Sequence, residues 1–97
     1  MASNNVFQLE CSLSSQSNPN QVRTYRGQVN LNDEHLQLQG LNNNQFIIAK
    51  LDSRDGSQLT FKYAQGSGQV VIDTTTRSIQ IKDRTLGEYQ GTFDITN

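Results

Sequence analysis

The chain is poor in the residues that cross-link, punctuate or charge a protein. Among its 97 residues there is one cysteine, one proline and one histidine. A lone Cys11 excludes a disulfide framework within the chain. With His35 as the only imidazole, the four-cysteine and cysteine–histidine zinc sites are excluded as well, so no metal or other cofactor is expected. Charged residues make up 18% and hydrophobic residues 33%, both below ordinary globular usage. A net charge of −1 and an isoelectric point near 5.6 supply no basic excess to hold nucleic acid or an anionic bilayer. Neither partner is expected. No stretch approaches the roughly 18 apolar residues that span a bilayer. The opening MASNNVFQLECSLSSQ lacks the basic start and the continuous apolar stretch of a secretory leader. The resulting expectation is a cytoplasmic protein. Its length allows one domain, 1–97, with no room for two independent cores, and residues 1–5 are expected to be a flexible N-terminus.

Helical periodicity is lacking too. No window carries apolar residues at i, i+3, i+4 and i+7 over three turns. The segment DEHLQLQGL at 33–41 opens with acidic residues, but Leu36 and Leu38 alternate and Gly40 follows, which suits a strand.

What the chain has is alternation. Phe7, Leu9, Cys11 and Leu13 share one face; so do Tyr25, Gly27, Val29 and Leu31. Leu36 and Leu38 follow, then QFIIAKL at 45–51 with Phe46 and Ile48 on one side and Ile47, Ala49 and Leu51 on the other. Leu59, Phe61 and Tyr63 align, as do Val70 with Ile72, Ile79 with Ile81, and Tyr89, Gly91, Phe93 and Ile95. A period of two means one face buried and one wet. Turn residues separate the runs: SSQSNPNQ at 14–21, Asn32-Asp33, Asn42-Asn43-Asn44, Ser53-Arg54-Asp55-Gly56, Gln65-Gly66-Ser67-Gly68, Thr74-Thr75-Thr76-Arg77 and Arg84-Thr85-Leu86-Gly87. Such short connections imply an antiparallel meander of about eight strands, because parallel crossovers need a dozen residues or more. An open sheet of that kind would leave its apolar face wet and expose two edges, and closure removes both problems. The expected fold is therefore all-β, a small up-and-down antiparallel barrel with its first strand between the second and the eighth; a two-sheet β-sandwich is the alternative.

One frame occurs twice. YRGQVNLN at 25–32 and YQGTFDIT at 89–96 both read Tyr, any, Gly, any, apolar, any, apolar, small polar. In the closed arrangement the two copies flank the first strand, and each glycine removes a side chain where the sheet must bend or a neighbour crosses. The repeat reads as a closure device.

Chemistry-bearing residues are sparse. His35 beside Asp33 and Glu34 reads as a turn residue, since one histidine forms neither a triad nor a three-ligand site. Cys11, in phase with Leu9 and Leu13, reads as a buried small hydrophobe. Asp52-Ser53-Arg54-Asp55-Gly56 lacks the ligand number of a calcium loop, and Asp73 and Asp83 read as turn-forming side chains at strand exits. Gly66-Ser67-Gly68 has no lysine and no helix to make a phosphate loop. Arg23, Tyr25, Arg26 and Phe61, Lys62, Tyr63 interleave cations with aromatics, but alternation sets Arg26 opposite Tyr25 and Lys62 opposite its aromatic neighbours. No catalytic residue is assigned and no enzymatic activity is expected.

Roughly a fifth of the chain is Asn or Gln. Gln8, Gln28, Asn30, Gln37, Gln39, Gln58, Gln80 and Gln90 fall at wet strand positions. Neutral amides donate and accept hydrogen bonds without the desolvation cost of charge. The leading expectation is a non-enzymatic interaction or scaffold barrel that uses this outer face or a strand edge to bind a protein partner or a second copy of itself. The alternative is a barrel that binds a small molecule or carbohydrate, with Tyr25, Tyr63 and Tyr89 as ligand-binding candidates at the barrel mouth.

Overall fold

Period-two alternation lets each strand bury one side chain in two while the backbone pairs with its neighbours, and eight such strands follow one another along the chain. A computed structural model describes residues 5–96; the expectation of a flexible N-terminus falls, Asn5 apart, outside the described residues. The strands are β1 (Val6–Ser15), β2 (Val22–Asn30), β3 (His35–Gly40), β4 (Phe46–Asp55), β5 (Gln58–Tyr63), β6 (Gly68–Asp73), β7 (Ser78–Asp83) and β8 (Gly87–Ile95), with a single 3₁₀ turn at Ala64–Gly66. Each pairs antiparallel with the next, and β8 pairs back onto β1, so the sheet is a closed up-and-down barrel. The sandwich alternative is excluded by this closure.

The interior is built from the side chains that the alternation nominates. Phe7, Leu9, Cys11, Leu13, Val29, Leu36, Leu38, Leu59, Phe61, Val70, Ile72, Ile79, Ile81 and Phe93 are buried in one cluster, with Tyr25 and Tyr89 at one end. Each fully buried Leu, Ile, Val or Phe side chain stabilises the fold by about 1.5–3 kcal/mol before entropy is counted. In β4, where both faces are apolar, register decides: Leu38 lies opposite Ile47 and Leu36 opposite Ala49, so Ile47 and Ala49 point in and Phe46 and Ile48 point out.

Closure works as the repeated frame implies. β1 lies between β2 and β8, with Leu9 opposite Gly27 on one side and Leu13 opposite Gly91 on the other. A Cβ at Gly27 would stand 1.8 Å from the Gln37 carbonyl oxygen, and one at Gly91 would stand 1.9 Å from that of Ser12. Neighbouring backbone occupies the place of the missing side chain at both positions, a geometry only glycine permits.

Two expectations are corrected. The turn placed at 53–56 is strand: β4 runs to Asp55, and a two-residue hairpin of Gly56 (φ 61°) and Ser57 leads into β5. The strand is longer because a bulge lies between Leu51 and Ser53, which re-phases the pairing and leaves Asp52 outside, in an ion pair with Lys62 at 3.4 Å. Ile95, expected inside, is 38% exposed. β7 begins at Ser78 opposite Thr92, and Phe93 N–H donates to the Arg77 carbonyl just before it, so Asp94 and Ile95 pair only with β1.

Meander topology sorts the connections between two ends. One end holds the loops at 16–21, 41–45, 64–67 and 84–86; the other holds the turns at 31–34, 56–57 and 74–77 together with the start of β1 and the finish of β8.

Candidate functional site

The tyrosines predicted as ligand-facing do converge, at the loop-bearing end of the barrel. Tyr25 follows Arg23 on β2 with the same inward phase, Tyr63 ends β5, and Tyr89 lies two residues into β8. Their hydroxyls and rings are engaged by protein groups. Tyr25 donates from its hydroxyl to Gln45 Oε1, while Arg23 Nη1 donates to the Tyr25 hydroxyl at 3.3 Å and to Gln45 Oε1 at 3.1 Å. The Arg23 guanidinium lies 5.3 Å over the Tyr89 ring, a cation–π contact. Tyr63 donates to Asp83 Oδ2 at 2.6 Å. The cluster links β2, β5, β7, β8 and the loop before β4, and with 1% of Tyr25 exposed it closes the barrel like a lid.

Its electrostatics move two hydroxyls and one carboxyl in opposite directions. Burial pushes the Tyr25 hydroxyl up, and burial together with Asp83 pushes Tyr63 up. Burial alone would raise Asp83, but the Tyr63 hydroxyl and the N–H groups of Leu86 and Thr85 outweigh it and hold the carboxyl below its ordinary value. The Leu86 and Thr85 bonds, at 3.0 and 2.8 Å, are the turn role expected of Asp83. Asp73 has the same role, accepting from Thr75, Thr76 and the Ser57 hydroxyl. Both directions favour the protonated hydroxyls of Tyr25 and Tyr63 and the charged carboxylate of Asp83, the states in which their hydrogen bonds are made.

Elsewhere the remaining sequence candidates take structural positions. Burial pushes the Cys11 thiol up to about 12, which leaves it protonated and unreactive. His35 opens β3 opposite Lys50. Among the described residues no three of His, Cys, Asp or Glu are grouped to hold a metal ion, and no helix is long and apolar enough to cross a membrane.

The outer face of β3 and β4 is different in kind. Phe46 and Ile48 are 57% and 58% exposed, on consecutive outward positions of one strand. Neutral amides stand directly opposite each: Gln39 faces Phe46 and Gln37 faces Ile48. The second row continues through Gln28 to Gln8, an amide ladder across β3, β2 and β1. On the next outward row, Lys50 lies between His35 and Lys62.

Phe46 also borders a cleft of about 360 Å³ at the loop-bearing rim, lined by Gln39, Gly40, Asn43, Asn44, Gln45 and Phe46. The loop beneath it is tied down at both ends. Asn42 acts as a surrogate strand residue: its Oδ1 accepts from Thr24 N–H at 2.9 Å and its Nδ2 donates to the Val22 carbonyl at 2.9 Å. Asn43 Oδ1 accepts from Gln45 N–H at 3.0 Å, and Gly40 N–H donates to the Gln45 carbonyl at 2.8 Å. A Cβ at Gly40 would fall 2.1 Å from Asn43 Oδ1, so the fold of this loop needs glycine there.

Sequence reasoning missed the roles of Arg23 and Gln45; it divided Phe46 and Ile48 from Ile47 and Ala49 but did not say which side faces out. For Arg23 a signal existed, since it shares the parity of Tyr25. Comparison with protein-family models, with curated proteins and with solved structures yields no match to this chain.

Proposed function

We propose that this barrel is a non-enzymatic binding module that docks a protein partner on the outer face of β3 and β4. The observation that carries the reading is the pair Phe46 and Ile48, both more than half exposed on consecutive outward positions of one strand, whereas Val22 and Ile95, the other exposed large apolar residues on strands, stand singly at strand ends. Contiguous exposed apolar groups rimmed by polar ones mark interaction surfaces, and aromatic anchors dominate binding energy there. The amides of Gln37 and Gln39 frame the pair without the desolvation cost of charge. Lys50 extends the strip with a cation, so the complementary surface is apolar at its centre and carries a carboxylate beside it. The face, and not an edge, is the working element, because a closed sheet has no free edge to offer a second copy. The hydrogen bonds that engage Tyr25, Tyr63 and Asp83 favour a holding role for that end over catalysis.

The test compares the immobilised chain with its Ile48→Ser and Lys50→Glu variants in lysate of the source cell. A partner retained by the native chain and lost from both variants at unchanged melting temperature is the expected result, followed by at least tenfold weaker binding of the purified partner to each. Identical retention by all three proteins would overturn the reading.

A further inference from the structure

Beyond the protein-docking strip, the rim cleft has the composition of a different kind of site. We infer that the cleft between the β3–β4 loop and the start of β4 binds a neutral oligosaccharide, with Phe46 as the stacking platform and the side-chain amides of Gln39 and Asn44 as its hydroxyl readers.

Three observations converge on that ligand class. First, the lining carries no ionisable side chain: Gln39, Gly40, Asn43, Asn44, Gln45 and Phe46 are amides, glycine and an aromatic. An ionic ligand would find no counter-charge there, whereas each amide offers one acceptor and two donors, the complement of a sugar hydroxyl that both donates and accepts. Second, the amides divide into two sets. Asn42, Asn43 and Gln45 are consumed in holding the loop and the barrel end. Gln39 and Asn44 make no side-chain hydrogen bond within the described residues, and both are exposed. The first set fixes the shape of the cleft and the second faces whatever enters it. A loop already held by its own bonds loses little freedom on binding, which favours affinity at a shallow site. Third, the Phe46 ring is on a strand, directly opposite Gln39. The rigid backbone presents an apolar plate next to a hydrogen-bonding group, and the C–H face of a pyranose can lie on such a plate while its equatorial hydroxyls reach the amide. The cleft volume of about 360 Å³ is at the lower end of small-molecule sites, roughly 300–1,000 Å³, and it is open enough for a chain to continue past it.

Because Phe46 and Gln39 belong to both surfaces, neither separates this proposal from the docking strip; Ile48 lies outside the cleft and Asn44 outside the strip, and these two separate them. Isotope-labelled protein is titrated with glucose, mannose and N-acetylglucosamine hexasaccharides, with a hyaluronan hexasaccharide as the charged control, and followed by amide NMR. Weak binding, with a Kd on the order of 1 mM, is expected for a neutral probe. Shifts should be confined to residues 39–46 and the side-chain amides of Gln39 and Asn44. The double variant Gln39→Ala, Asn44→Ala should bind at least tenfold more weakly with an unchanged melting temperature, while Ile48→Ser binds as the native chain does. No shift with any neutral probe at 10-fold excess over that Kd, shifts centred elsewhere, or equal response to hyaluronan would each overturn the proposal.

Discussion

Closure of the barrel leaves no room for a single methyl group at two positions. Placed at position 27, it would stand 1.8 Å from the Gln37 carbonyl oxygen, against about 3.3 Å for the closest ordinary carbon–oxygen contact. The strands must therefore part by about 1.5 Å, more than the spread of lengths over which an N–H···O bond survives. Two ladder bonds at about 1 kcal/mol each and overpacking strain of about 1–3 kcal/mol give a cost of about 3–5 kcal/mol for Gly27→Ala. A domain of this size is stable by about 5–10 kcal/mol, and each kcal/mol moves its melting point by about 4–8 °C. The melting temperature should drop by about 15–30 °C, with a matching shift of the urea midpoint, and Gly91→Ala should behave alike because Ser12 O lies 1.9 Å from its Cβ. Gly56→Ala is the control: its φ is +61° but nothing lies within 4 Å, so only the left-handed penalty of about 1–2 kcal/mol applies. Should Gly27→Ala melt no lower than Gly56→Ala, the close-approach account of barrel closure is wrong.

Two further outcomes follow from the titratable groups. Asp83 and Asp73 are held below their ordinary values, so each binds its proton more readily in the unfolded chain; stability is fully present above the unfolded value of about 3.9 and is lost as pH falls through the lower folded values. Urea titrations should give a plateau above about pH 5 and a decline below about pH 4, and Asp83→Asn should flatten that decline while costing about 1 kcal/mol at neutral pH after allowance for solvent. A decline of unchanged steepness in the variant would remove Asp83 from the account. Cys11 should resist thiol reagents in the native protein at pH 8 and react fully in urea, because burial raises its thiol to about 12; rapid native labelling would show that β1 opens readily.

Much of this architecture is written in parity. Phe7, Leu9, Cys11 and Leu13 alternate without interruption, and the structure buries all four. Gly27 and Gly91 were legible because the same frame brackets each of them. The polar lid was not, for a physical reason: charge ordinarily marks a solvated position, whatever its phase. Arg23, Gln45 and Asp83 are polar, yet Arg23 and Asp83 occupy inward parity at strand ends, where a long or hydrogen-bonded side chain can cap an apolar interior. β4 was ambiguous because Phe46 through Ile48 is apolar on both faces, and only pairing with Leu36 and Leu38 resolves it. The bulge at Asp52 carries no glycine or proline to announce it, so the strand end was misplaced by the length of one turn. The rim cleft was half legible: its three asparagines marked a loop, but their division into loop-holding and free amides exists only in space.

The pairing of β1 with β8 has a topological consequence. The start of β1 and the finish of β8 lie on adjacent strands at the end remote from the asparagine loop, with Ile95 opposite Leu9 and Thr96 N–H donating to the Gln8 carbonyl at 2.9 Å. A ring of strands has no first member, so a short linker could splice the two tails and a new break could be made at Gly56-Ser57 with every ladder kept.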